Sequence, residues 1–462
     1  MIFLFFFSLC IGFYMAWNIG ASDVANAMGT SVGSGALSLR QAVLLAAFFE
    51  FLGASLCGNE VIYTLHQNII DLSAFQSQAA LIAIGMNASL LAAGIWLQTA
   101  SYFGWPVSTT HTIVGAMAGF GFLLQGTKII QWKTLLAISS TWILSPLVGA
   151  FLSFLLFYFL RTYVLSAEHP LKQAKKWIPR LFALFVLCIY LIFSLRYPIS
   201  LASMIGGSGG AACLAYIGCL FFLKRQSHFS SHEKDHNKEL CEQINLHLEN
   251  ALASLQLAKE IAPSRQWIHA LHPKIEALER IRKELKKEKP LEEHALVEKA
   301  FSYMQIASAS LMAFSHGAND VANAAGPLLI SLRVMEGHTN RSLSVKWVLI
   351  WCATGIVFGL ALWGWRVIHT VGKKITELTP SRGFSAEFGC ALTVMLASQL
   401  RMPISTTHTL IGSLLGIGLA RGSGNLNLKT LKGIFLSWSI TVPAGTILCW
   451  IIFYAIKPFF LG

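Results

Sequence analysis

Residues 16–27 read AWNIGASDVANA and residues 313–324 read AFSHGANDVANA, with eight of twelve positions identical at an offset of 297. A second pair keeps that offset. GWPVSTTHTIVG at 104–115 and RMPISTTHTLIG at 401–412 agree at seven of twelve positions, where unrelated stretches of average composition would share roughly one. Gly119 and Gly416, Gly121 and Gly418, and Pro146 and Pro443 continue the register. Self-similarity at a fixed period marks a duplicated structural unit, so the chain is built from two related halves.

Composition names the solvent of those halves. The 462 residues are 55% hydrophobic and 12% charged, with a mean hydropathy of +0.59, whereas a soluble domain is about 25% charged. Apolar runs near the roughly 20 residues that cross a bilayer recur along the chain. We read about twelve, near 2–17, 41–57, 79–100, 111–125, 134–160, 178–195, 198–223, 300–315, 345–364, 383–400, 409–420 and 431–456. The first run is read as part of the mature chain, because no Lys or Arg precedes Arg40 to form the basic start of a signal peptide. Nine scattered cysteines without a Cys-x-x-Cys form neither a disulfide framework nor a zinc site.

Seven runs precede the second motif copy. An odd number brings the second half into the membrane from the opposite side, and inverted repeats with broken helices meeting near the midplane are a common build of secondary transporters. The expected fold is therefore an all-α polytopic membrane protein of about twelve transmembrane segments in two inverted repeats with re-entrant or broken helices. The expected division is 1–160 as the first membrane repeat, 161–223 as connecting transmembrane helices, 224–299 as a helical insert and 300–462 as the second repeat.

The net charge of +13 comes from Lys and Arg spread over short loops, without the clustered face that would bind nucleic acid. Basic loops face the cytoplasm. That rule puts the insert in the cytoplasm and both termini outside, although the loops with Lys128/Lys133 and Arg333/Arg341/Lys346 then run against it. A cell membrane is the expected location. Residues 224–300 carry 14 Lys/Arg and 13 Asp/Glu. Leu240, Ile244, Leu248, Leu252 and Leu255 step by three and four there, as do Ile275, Leu278, Ile281 and Leu285, which predicts an aqueous helical hairpin. The insert also holds HEKDH at 232–236, with His228 one turn earlier. Two His four apart with a Glu match a zinc hydrolase motif, but no apolar face fixes the ligands and no third ligand is evident.

Only nine acids lie outside the insert, and four of them, Asp23, Glu50, Asp320 and Glu387, fall in or beside apolar runs. Ionisable groups at membrane depth are costly and their default reading is functional. Asp23 and Asn26 are three apart, as are Asp320 and Asn323, so each pair shares one helix face. Carboxylate and amide oxygens suit a hard cation. Pro106 and Pro403 bar a continuous helix, and Ser108 and Ser405 then stand where a helix N-cap belongs. Thr109, Thr110, Thr406 and Thr407 add hydroxyls to the free N–H groups of those two helix starts, which makes each an anion site. His111 and His408 close the motifs, either as hydrogen-bonded core residues or as proton carriers. An anion and compensating cations moving together is symport. The reading is a transporter, not an enzyme, with no covalent cofactor.

The four motif copies together resemble those of the inorganic phosphate transporter (PiT) family of cation-coupled symporters and permeases, over essentially everything outside the insert. The resemblance implies inverted repeats, a large intracellular loop and inorganic phosphate as substrate. It also implies that Ser108, Thr109, Thr110, Ser405, Thr406 and Thr407 hold phosphate and that Asp23, Asn26, Asp320 and Asn323 hold the coupling ions, with Glu50 and Glu387 resembling two functionally sensitive glutamates. Ser22 stands where the family motif, and Asn319 in the second copy, have Asn, so the two half-sites are expected to be unequal. Sodium is the favoured coupling ion and a proton the alternative. The rival readings are transport of another oxyanion such as sulfate, of a metal–phosphate complex, or a metal-dependent hydrolase using His232 and His236. Self-association is left open.

Overall fold

The computed structural model describes residues 2–67, 69–70, 78–196, 199–261, 265–339, 344–365, 368, 378–422 and 428–461. The side chains of 65–67, 226–245, 259–260, 265–270, 280–292, 337–339 and 428–438 lie outside the described residues. So does the HEKDH constellation, of which only the helical backbone is described.

The described residues are helical throughout, without a strand; Ile70 and Ile130 form an isolated bridge. The helices are α1 (Ile2–Gly33), α2 (Leu39–Cys57), α3 (Asn59–Gln67), α4 (Ala79–Phe103), α5 (Thr109–Gln125), α6 (Trp132–Leu160), α7 (Pro170–Ser194), α8 (Leu201–Glu260), α9 (Arg265–Thr339), α10 (Val345–Gly359), α11 (Pro380–Gln399), α12 (Thr406–Arg421) and α13 (Leu428–Leu461). Two compact units result. The first comprises 1–161, 188–204 and 301–462, and the second 162–187 and 205–300. In the second unit Leu252 and Ile275, from the two amphipathic runs of the insert, are both buried.

Eight described helices are long and apolar enough to cross a membrane. Four of the twelve expected runs do not meet that measure, for identifiable reasons. With 17 and 16 residues, α5 and α12 fall short of the roughly 20 a full crossing needs. Ser and Glu lower the hydropathy of α11. In α9, Gln305 and the serines do the same for 300–315, with His316 directly after it.

Within the first unit the offset of 297 carries through whole elements. It takes α4, α5 and α6 onto α11, α12 and α13, and α1 onto the later part of α9. Helices α2 and α10 are the exception, related by 306. That shift puts Gly53 with Gly359 and Glu50 with Ile356, and the packing agrees. Gly20 lies against the Ile356 carbonyl and Gly359 against Trp17, while Gly317 lies against the Glu50 carbonyl and Gly53 against Phe314. A β-carbon at any of the four would run into backbone, so only glycine lets these helices approach so closely.

The last helix of each repeat packs on the opposite repeat: α6 lies against α11 and α12, and α13 against α4 and α5. Glycines again set the approach, Gly412 and Gly416 meeting the Pro146 and Ala150 carbonyls of α6, and Gly115 meeting Val442 of α13.

Each short helix follows a break. Gly104 ends α4 at φ 69° and Arg401 follows α11 at φ 61°. These are offset mates in the same left-handed conformation, but only glycine adopts it freely; a side chain there costs roughly 1–2 kcal/mol. Arg401 donates from Nε to Glu60 Oε2 at 2.9 Å, and Arg196 lies 3.5 Å from Glu60 Oε1.

Candidate functional site

Ser108 and Ser405 cap α5 and α12 as the sequence predicts. Both have extended backbone, φ −99° and −89°, and each Oγ accepts from the N–H three residues on, His111 and His408, at 3.2 Å. That leaves the N–H groups of Thr109, Thr110, Thr406 and Thr407, in the first turns, without an intrahelical acceptor. The two helix starts meet. Thr110 Oγ1 donates to the Ile404 carbonyl at 2.9 Å and its mate Thr407 donates to the Val107 carbonyl at 3.3 Å. The His111 and His408 rings contact edge to face with centroids 4.3 Å apart, and the His111 ring also lies 3.8 Å from that of Trp142. Contacts that exchange one repeat for the other in this way are what a pseudo-twofold axis between the halves produces, and the helices run away from it.

The Asp motifs lie inside continuous helices, α1 and α9, that bring them to these starts. Asn26 donates to Thr407 Oγ1 at 2.8 Å and to Asp23 Oδ1 at 3.4 Å, and Asn323 donates to Thr110 Oγ1 at 3.2 Å. Each half's amide therefore reaches the other half's hydroxyl, across one shared centre. All ten of these Ser, Thr, Asp and Asn side chains are buried. The hydroxyls of Thr110 and Thr407 are thus engaged with carbonyls and amides, Thr406 with Asp320 and Thr109 beside Asp23, which leaves the backbone N–H groups of the two helix starts as donors.

The two carboxylates are unequal. Asp320 Oδ2 accepts from Thr406 Oγ1 at 2.8 Å and lies 2.9 Å from His316 Nε2. With its amide turned so that each donor meets an acceptor, Asn319 donates to Asp320 Oδ1 at 3.0 Å and to the Ile404 carbonyl at 3.2 Å, and accepts from Ser398 Oγ at 3.1 Å. Asp23 has less. The Thr109 and Ser22 hydroxyls lie beside it, but its Oδ2 is outside hydrogen-bond geometry among the described residues, and Ser22 also reaches the Ile19 carbonyl at 3.5 Å. Asp23, His316 and Asp320 nevertheless present oxygen and nitrogen atoms within 4.8 Å of one another.

Glu50 and Glu387 sit within helices α2 and α11, fully buried. Glu50 Oε1 is 3.2 Å from His316 Nδ1. Both carboxylates form ion pairs with the imidazole when it carries its second proton. Glu387 is separate from that chain. Thr30 and Ser31 of α1 donate to its Oε1, the latter at 2.6 Å, with Gln305 at 3.4 Å, and Ser308 donates to Oε2 at 2.7 Å. The offset mates of Glu387, Ser31 and Ser308 are Leu90, Leu328 and Ile11, so this polar pocket, built from both halves, is not repeated by the duplication.

His316 is the residue that reading the repeat passes over, because its mate is Ile19. The signal available was its place four residues before Asp320 on a helix, beside lone glutamates in apolar runs. Gln305, Thr30, Ser31 and Ser308 were likewise not singled out.

The comparisons with known proteins agree with this architecture. A solved structure described as the sodium-dependent phosphate transporter is 31% identical and superposes with a TM-score of 0.77 over 98% of this chain and 99% of its own. A protein of Chlamydia pneumoniae named as a phosphate permease is 42% identical over 98% of both chains. Inorganic phosphate transporter 2-1, chloroplastic, of Arabidopsis thaliana is 42% identical over 96% of this chain and 70% of its own length. The model of the phosphate transporter family matches residues 19–449, and the chain, a multi-pass membrane protein rather than an enzyme, belongs to that family.

Proposed function

We propose that this chain is a secondary active transporter that moves inorganic phosphate across a cell membrane by symport with cations, sodium in preference to protons, through alternating access to the centre between its repeats. The observation that carries this is the meeting of two helix N-termini beside two buried carboxylates. Free N–H groups at a helix start favour an oxyanion, and carboxylate and amide oxygens favour a hard cation. Neither charge is comfortable alone at membrane depth. Bound together they offset one another, and that mutual dependence is the physical content of symport.

In this reading the backbone at Ser108, Thr109, Thr110, Ser405, Thr406 and Thr407 receives phosphate. Asp23, Asn26, Asp320 and Asn323 receive the coupling cations, and Ser22, Asn319, Glu50, Glu387, His111 and His408 support them. The repeats 1–160 and 300–462 act as the transport core, 161–223 connects them, and the 224–299 insert lies in the cytoplasm with both termini outside. Support for phosphate and sodium comes from the family and from the structural neighbour, a sodium-dependent phosphate transporter.

The test is uptake of labelled phosphate by purified protein in liposomes, driven separately by imposed sodium and pH gradients with sulfate as competitor. Uptake driven by sodium and resistant to excess sulfate is expected. Equal competition by sulfate would replace phosphate with a broader oxyanion class, and drive by the pH gradient alone would make the proton the coupling ion.

A further inference from the structure

We propose that His316 is a positioning residue, anchored by Glu50, that fixes the Asp320 carboxylate and so makes the two cation half-sites unequal in affinity. The inference rests on the reading of Asp23 and Asp320 as cation ligands given above.

The imidazole bridges two helices. Its ring is fully buried between Glu50 of α2, 3.2 Å from Nδ1, and Asp320 of its own helix, 2.9 Å from Nε2. The structurally equivalent place in the other repeat holds no charge, because Ile19 replaces His316 and Ile356 replaces Glu50, and both are fully buried. Thr406 and Asn319 meet Asp320, as Thr109 and Ser22 do Asp23, but of the two only Asp320 has the imidazole in direct contact, and Asp23 Oδ2 stays outside hydrogen-bond geometry among the described residues. A carboxylate already held in one rotamer loses little freedom when a cation arrives, whereas a loosely held one is ordered at the expense of affinity. The Asp320 half-site is accordingly the tighter one, filled first and emptied last, and the Asp23 half-site is the one that exchanges.

His316 does not ligate the cation. Each ring nitrogen already faces a carboxylate oxygen, and a hard cation such as sodium takes oxygen ligands; imidazole ligation would point to a transition metal instead.

The experiment uses purified full-length H316A, H316Q, E50Q and D320N in liposomes, with two readouts. One is the sodium concentration for half-maximal uptake at saturating phosphate, and the other is the phosphate concentration for half-maximal uptake at saturating sodium. Loss of a contact to a charged group predicts a rise of about tenfold in the sodium value for H316A, with the phosphate value changing by about twofold or less. H316Q restores much of the sodium value because its amide still reaches Asp320, and E50Q gives an intermediate shift. If H316A fails to give a monodisperse protein, H316Q and E50Q carry the prediction, since each leaves a polar side chain of similar size. An unchanged sodium value in these variants overturns the proposal, as does a parallel rise of both values without rescue by H316Q. If added manganese proves to stimulate wild-type uptake and H316A abolishes that stimulation with sodium dependence intact, the proposal is likewise overturned. D320N separates the two levels. Unchanged sodium dependence in D320N means that the cation-site reading itself fails, whereas a shift in D320N with none in H316A removes only the role of His316.

Discussion

Asn26 on α1 donates its side-chain amide to Thr407 Oγ1 on α12 at 2.8 Å, across 381 residues of sequence. The bond places the first repeat's amide on the helix start of the second. Under the proposed assignment of this centre, both halves would hold a ligand at once.

Substituting either partner is expected to weaken phosphate uptake. Asn26→Ala and Thr407→Ala should each raise the phosphate concentration for half-maximal uptake by about tenfold, the worth of roughly 1.4 kcal/mol. The double variant should cost little more than either single, because the two act through one contact. Strict additivity in labelled-phosphate uptake would show that they act separately.

Removing charge from the carboxylates should act on the cation. Asp23→Asn and Asp320→Asn keep size and lose the negative charge, and each is expected to lower sodium-driven uptake by tenfold or more, on the scale of leaving a buried site short of its charge. Asp320→Asn should be the more severe, since Thr406 and Asn319 are arranged to donate to a carboxylate. Wild-type rates with unaltered sodium dependence in both would end the assignment.

The caps contribute stability more than selectivity. Ser108→Ala and Ser405→Ala each remove the acceptor for an N–H in the first turn of a short helix, a loss of about 1 kcal/mol. Thermal unfolding of purified protein should show both variants lowered by similar amounts.

Close packing makes glycine obligatory at the crossed helices. At Gly412 a β-carbon meets the Pro146 backbone, and at Gly317 it meets the Glu50 backbone. Overpacking of this kind costs about 1–3 kcal/mol, so Gly412→Val and Gly317→Val should unfold earlier than wild type, whereas Gly210→Ala, with nothing near its β-carbon, should not.

The ion pair at the second break can be tested by its own exception. Arg401→Gly relieves the left-handed strain while losing the Glu60 contact. Glu60→Gln keeps the strain and loses most of the contact, so it should be the less stable of the two by about 1 kcal/mol.

Duplicated motifs made much of this legible in advance. Pro106 with Ser108, and Pro403 with Ser405, announced both helix starts, because proline and a capping hydroxyl act locally and need no partner to be recognised. Asp23 and Asp320 were visible as charges in apolar runs. What escaped depends on long-range contact. His316 is paired with Glu50 only once α2 and α9 pack, and Glu50 has its apolar counterpart at Ile356 only after a nine-residue change of register. The polar shell of Glu387 gathers Thr30, Ser31, Gln305 and Ser308 from distant positions, each ordinary by itself. Eight of the twelve expected runs are long apolar helices, and α5 and α12 are shorter, at 17 and 16 residues, for a physical reason: each begins at a proline-marked break.

The exchange of α6 and α13 between repeats bears on how the chain is made. Helix α6 is complete long before its partners α11 and α12 leave the ribosome, and at about 5–20 residues per second the wait is on the order of tens of seconds. Throughout that interval the groove that α6 will fill does not yet exist, and the early repeat must remain in the bilayer unlocked. Maturation is then governed by the last helices synthesised: release of a chain truncated before α11 should leave a protein that inserts but never acquires its native core.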